Sequence, residues 1–171
     1  MKIRGMSVIV LFVLIAVTAS SYAVSLNPFR RNSRARAETL MITANVLNSR
    51  LLAELAQVRT KQPIVLFSPD VDGTQRVFYM IDGNKAVDIG EGNFLETVAF
   101  INPKRIVVLG GTDYVPKQFV DLLRADYSVI ILDSADWEKN AQVLGEWLDH
   151  RSLLKQYREY SDKISQAGAG K

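Results

Sequence analysis

Three short apolar runs constrain this chain more than any other feature: Ile64-Val65-Leu66-Phe67, Ile106-Val107-Val108-Leu109 and Val129-Ile130-Ile131-Leu132. Each is rich in β-branched residues, carries no polar residue and is too short for a helix. Such a run reads as a strand buried on both faces, which is the condition of a parallel strand between helical layers. The middle run is entered through Asn102-Pro103-Lys104-Arg105, where the proline ends a preceding helix, and left through Gly110-Gly111-Thr112-Asp113. Helical patterns fill the intervals. The predicted class is therefore α/β, a small doubly wound and mainly parallel sheet in which this middle run is the central strand. Loops at the carboxyl ends of the strands are then the default place for a site.

Ahead of that domain, Lys2 and Arg4 precede a nearly uncharged stretch from Met6 to Val24 that ends near Ser21-Tyr22-Ala23. This reads as a secretory signal, with an uncleaved anchor as the rival because the run is just long enough to cross a bilayer. Arg30, Arg31, Arg34 and Arg36 follow it, so positive charge flanks both ends and orientation is left open. Residues 1–24 are thus predicted to be a signal peptide or a hydrophobic anchor helix, 25–36 a basic linker, 37–165 one α/β domain and 166–171 a flexible tail. The expected location is extracytoplasmic, either secreted or held at the membrane. Of the 171 residues 48% are hydrophobic, enough for one core. The net charge of +3 is concentrated beside the hydrophobic stretch, and no basic face interleaved with aromatics suggests nucleic acid. The chain has no cysteine, which excludes disulfides and a thiol nucleophile.

Along the domain, Leu40, Ala44, Leu47, Leu51, Leu55 and Val58 recur at helical steps with no glycine or proline from Ala37 to Val58. One long helix is predicted there, packed on the sheet; the same face read as a seam would give a homo-oligomer. Gln75–Ile81 fits helix and edge strand alike, and a short helix is favoured because a parallel neighbour needs a crossover. Asp82-Gly83-Asn84 marks a turn, Ala86–Ile89 a short strand, and Asn93 the cap of a helix over Phe94–Ile101. Pro116 opens the next helix. Tyr127–Asp133 is a strand, and Ser134 caps a helix whose Trp137, Ala141, Leu144 and Trp147 form a core-facing stripe. A final helix covers Ser152–Ile164. The single histidine, His150, reads as a solvated residue at a helix end, and alone it excludes a multi-histidine metal site within one chain.

Two stretches suggest chemistry. Gly110-Gly111 before a helix start is a candidate anion cradle, although the chain has neither a Walker loop nor G-x-G-x-x-G. The candidate ligand-binding residues are accordingly Gly110, Gly111, Thr112, Asp113, Asp133 and Ser134. Asp70-Val71-Asp72-Gly73-Thr74, following a buried strand, resembles the first motif of the haloacid dehalogenase-like phosphohydrolases. That resemblance implies nucleophilic attack by Asp70, acid and base work by Asp72, a role for Thr112, and magnesium held by Asp70 with Asp133 and Asp136. The chain departs from the pattern in Ser68-Pro69, which separates Asp70 from its strand, and in Gln75, which stands where an apolar residue is usual.

A longer resemblance runs from about Arg36 to Leu148. Arg36-Ala37-Glu38-Thr39, Pro63-Ile64-Val65-Leu66, the stretch Asn102–Thr112, and Val115 followed by a helix ending in Leu122-Leu123 are similar to the second type of cell wall-binding repeat, with Asp136–Ala141 at the start of a next copy. It implies a non-enzymatic, extracytoplasmic module without a cofactor, whose partner is an envelope polymer or an envelope protein. Ser68-Pro69, Pro103 ahead of Ile106-Val107, and Ala141-Gln142-Val143-Leu144-Gly145 also resemble the amino-terminal lobe of periplasmic binding proteins for metal chelates and cobalamin. By that resemblance the chain is half of a solute-binding protein.

Overall fold

The computed structural model describes residues 37–81 and 85–169, which belong to one compact unit. The hydrophobic segment, the basic linker and the turn at Asp82-Gly83-Asn84 lie outside the described residues. A six-stranded sheet with helices on both faces confirms the small, doubly wound α/β class.

The first element corrects the sequence reading. Thr39–Ala44 is not the start of a long helix but a strand, β1, with all six residues buried. Its β-branched Thr39, Ile42 and Thr43 fit a pleated surface covered on both sides, and that burial overrides the helical spacing of Leu40 and Ala44. The helix α1 begins only at Leu47 and runs to Thr60. Ser49 Oγ fastens the step between them, donating to Ala44 O at 2.9 Å and to Val46 O at 3.1 Å. Starting the helix there turns Leu52, Ala53 and Ala56 into the core, while Leu47 and Val58 face solvent.

The strand β2 spans Ile64–Pro69 and pairs parallel with β1, Met41 opposite Ile64. Gln75–Met80 is a strand as well, β3, antiparallel to β2 from Pro69–Gln75 down to Ile64–Met80. The crossover argument for a helix fails here because an antiparallel neighbour needs only a tight turn. That turn is built by Asp70 N–H donating to Thr74 O at 2.8 Å, Gly73 N–H to Asp70 O at 3.1 Å, and Gly73 at φ 84°. A three-residue strand β4, Ala86–Asp88, completes this side. The helix α2, Phe94–Ile101, forms as expected, but the Asn93 side chain does not cap it; its Nδ2 donates to Ile89 O at 2.8 Å.

Arg105–Leu109 is β5, which pairs parallel with β1, and Val129–Leu132 is β6, parallel to β5 at the sheet edge. The order is β4-β3-β2-β1-β5-β6. β1 and β5 are each flanked by parallel partners and together form the centre of the parallel part of the sheet, β1 lying nearer the middle of all six strands. The helix α3, Lys117–Asp126, joins β5 to β6. The helix α4, Trp137–Trp147, is capped not by Ser134 but by Asp136, whose Oδ1 accepts from Glu138 N at 3.0 Å. The helix α5, Leu153–Ala169, continues through most of the stretch read as a tail.

The two layers follow from strand alternation. On one face α1, α4 and α5 pack together over Met41, Leu66, Met80, Val107 and Leu132. On the other, Phe67 of β2 meets Phe94 of α2 and Phe119 of α3 with centroids 5.2 and 4.8 Å away. The tryptophan stripe is only half right: Trp137 packs against the core, but Trp147 is 45% exposed, with the Arg105 guanidinium 5.6 Å from its ring centre.

Candidate functional site

Because β1, β2, β5 and β6 run parallel, the loops that follow them share one edge of the sheet. The chain turns in opposite directions on either side of β1 and β5: α1 leads away to β2 on one face, α3 to β6 on the other. This is the topological switch point, where the loops diverge.

After β5 the backbone takes two left-handed residues, Gly110 at φ 89° and Gly111 at φ 65°, before a short 3₁₀ turn over Gly111–Asp113. The glycines are there for close packing as much as for conformation. A Cβ on Gly110 would fall 2.4 Å from the Tyr114 ring, and one on Gly111 would fall 2.9 Å from Asp133 Cβ. Tyr114 in turn meets Trp137 edge-on, with centroids 5.2 Å apart. Thr112 and Asp113 are left exposed at the rim.

After β6, Asp133 is exposed and Ser134 is held by a reciprocal amide clamp. Ser134 N–H donates to Asn140 Oδ1 at 3.1 Å, and Asn140 Nδ2 donates to Ser134 O at 2.9 Å. Asn140 is buried and was not singled out from the sequence; an Asn inside the first turns of an otherwise amphipathic helix was the available signal. The candidate ligand residues therefore do come together, Gly110 to Asp113 in the loop after β5 beside Asp133 and Ser134 in the loop after its neighbour β6.

The sequence reading also missed the loop after β1, since it placed no strand there. Asn45, Val46, Leu47 and Asn48 are all exposed at the head of α1. Val46 and Leu47 show 47% and 58% of their surface to solvent, whereas Ala44 ahead of this step and Ser49 after it are buried. Arg50 Nη1 donates to Asn45 Oδ1 at 2.9 Å, and Arg50 pairs with Glu54 at 2.7 Å. A shallow cavity of about 400 Å³ opens here between Val46, Leu47, Leu51 and Ile164 of α5.

Asp70 and Asp72 stand elsewhere. They follow β2, whereas Asp133 and Asp136 follow β6, three strand positions away, roughly 14 Å at the usual strand spacing. Asp72 accepts from Thr74 N–H at 2.9 Å and Thr74 Oγ1 at 2.6 Å. The Thr74 hydroxyl first, and then its amide, hold that carboxyl below the ordinary aspartate range, so it is an ionised acceptor in a hairpin turn. Among the described residues no three acidic, histidine or cysteine side chains come together to hold a metal ion, and Asp70, Asp133 and Asp136 do not fit magnesium.

His150 requires a further correction. It is not solvated but 1% exposed, because Asp149 adopts φ 51° and folds α5 back onto α4, with His150 N–H donating to Gly145 O at 2.7 Å. Its Nε2 has no hydrogen-bond partner. Burial first, and then the nearby Arg59 charge, push the imidazole below its usual pKa, and backbone hydrogen bonds oppose them only in part. The unfolded chain therefore binds a proton that the folded chain refuses. Stability is fully present above about pH 6.5 and declines as pH falls below it toward the depressed folded value. Thermal midpoints measured from pH 7.5 to 5.5 should fall with pH, and His150→Gln should flatten that slope. An unchanged slope in the variant would place the titrating group elsewhere.

Protein-family models, curated proteins and solved structures show no match to this chain.

Proposed function

We propose that this domain is a non-catalytic binding module of the cell envelope, exported or anchored by its N-terminal hydrophobic segment, which takes a hydroxyl-rich polymer at the carboxyl edge of its sheet. The observation that carries this reading is the exposed row at the switch point. Val46 and Leu47 lie open between Asn45 and Asn48 at the end of β1, and Thr112 and Asp113 stand at the end of the adjacent β5. Sugar rings present an apolar C–H face and a rim of hydroxyls, and this row supplies both an aliphatic surface and short polar side chains. Exposed Asp70, Asp72, Glu91, Asp113, Asp133 and Asp136 make the edge acidic, which favours a neutral glycan over a phosphorylated ligand. The resemblance to cell wall-binding repeats points to the same class of partner.

Cosedimentation of residues 25–171 with isolated wall glycan tests it. Binding is expected, with Leu47→Ala combined with Thr112→Ala weakening it about tenfold, roughly 1.4 kcal/mol, at an unchanged melting temperature. Asp70→Asn should leave binding intact. Magnesium-dependent hydrolysis of an aryl phosphate that disappears in Asp70→Asn would replace this reading with the phosphohydrolase.

A further inference from the structure

The opposite edge of the sheet has a different character. The amino ends of β1, β2, β5 and β6 and the carboxyl ends of α1, α3 and α4 gather there. Arg59 and Lys61 close α1, Lys104 and Arg105 open β5, Arg124 lies in the last turn of α3, and Arg151 follows α4. Lys85, just before β4, joins them because Ala86 pairs with Met80 and Met80 with Ile64. All but the half-buried Arg105 are exposed. Carboxylates among the described residues are fewer: Glu38, paired with Lys104 at 2.5 Å, Asp126, Glu146 in the last turn of α4, and Asp149, which stands 3.9 Å from Arg151. Set among the cations are exposed apolar side chains, Val58 at 66%, Ile81 at 43% and Trp147 at 45%. The described chain also begins at this edge, where Ala37 N–H donates to Ile101 O and Lys104 N–H to Ala37 O at 3.0 Å.

We infer that this amino edge docks on an anionic lipid surface, with Trp147, Ile81 and Val58 at headgroup level and the basic side chains over the lipid phosphates. The assignment rests on the anchored form of the proposed function. It follows from the coincidence of two independent features. A basic rim with an interfacial tryptophan and aliphatics is the composition that binds negatively charged bilayers. Ala37, the first described residue, lies at this edge, so the stretch that carries Met6–Val24 and then Arg30, Arg31, Arg34 and Arg36 joins the domain here. Cationic attraction reaches about 10 Å at 0.1 M salt and shrinks as salt is added. The acidic carboxyl edge is then turned away from the bilayer, leaving the glycan row free.

The absence of cysteine allows a single reporter to be introduced cleanly. Ala125→Cys on the amino edge and Ala135→Cys on the carboxyl edge are both exposed positions for a fluorophore. The full chain is reconstituted with vesicles of phosphatidylcholine alone or with phosphatidylglycerol, each carrying a headgroup quencher. Quenching at position 125 should be at least threefold stronger with phosphatidylglycerol. It should fall to the phosphatidylcholine level in 0.5 M salt or in Lys61→Glu with Arg124→Glu and Arg151→Glu. The label at 135 should remain unquenched throughout. Equal quenching at the two positions, or quenching indifferent to lipid charge, overturns the assignment while flotation with either vesicle keeps the anchor. Flotation only with phosphatidylglycerol supports the surface and removes the anchor; no flotation overturns both.

Discussion

Phe67→Ala is expected to lower the unfolding free energy by about 3 to 5 kcal/mol, the range for deleting a buried aromatic ring. Phe67 is 1% exposed on β2 and meets two rings on two different helices, while Phe94 and Phe119 also meet each other at 5.3 Å. Its removal therefore opens a void where α2, α3 and the sheet converge. Its pair with Phe94 is edge-to-face and its pair with Phe119 is tilted; an edge-to-face pair adds roughly 0.5 to 1.5 kcal/mol beyond the area it buries, so the cost should lie in the upper part of the range. Phe67→Leu, which refills most of the volume, should recover more than half of it. Chemical denaturation of the three chains checks this, and a loss under about 1 kcal/mol for Phe67→Ala would mean that the three rings do not form the core of that layer.

Gly110→Ala should cost about 2 to 3 kcal/mol, which combines a left-handed backbone at a non-glycine residue with the loss of one aromatic pair. The added methyl would sit 2.4 Å from the Tyr114 ring, so the ring must leave its place against Trp137. Near-ultraviolet circular dichroism should then lose intensity even below the melting transition. Gly92→Ala is the control: that position has open space around it and no unusual φ, and it should stay within about 0.5 kcal/mol of the parent. Equal stabilities for the two variants would show that the turn after β5 tolerates a side chain.

What the sequence made legible was whatever a single stretch decides by itself. The runs in β2, β5 and β6 have no polar member and admit one reading. The boundaries of α2 and α3 are written in Asn102-Pro103 and Pro116. The errors fall where two periodicities coincide or where burial is set by distant residues. Leu40, Ala44 and Leu47 satisfy a helical step across a strand-to-helix junction that carries no glycine or proline, so the β-branched Thr39, Ile42 and Thr43 were outweighed. Arg76-Val77-Phe78-Tyr79-Met80 alternates weakly because apolar Phe78 and Met80 share a half-covered face with the exposed Arg76, and the Asp72-Gly73 turn ahead of it was the better signal. His150 is buried by a fold-back at Asp149 that no local pattern announces. For the site, the half on β5 and β6 could be located from Gly110-Gly111 and Asp133, and the half on β1 was lost together with its strand.

The position of β1 also sets an order of events. Its neighbour on one side, β2, follows after a single helix, but the bonds on its other side, Thr43 Oγ1 to Leu109 O and Arg105 Nε to Thr39 Oγ1, join residues 66 positions apart. A chain emerging from the ribosome releases β1 well before the strand that closes its second flank. Loop closure of that length is slow, and an apolar strand awaiting its partner is open to pairing with the wrong one. The segment most protected in the finished fold is thus the one longest at risk during synthesis.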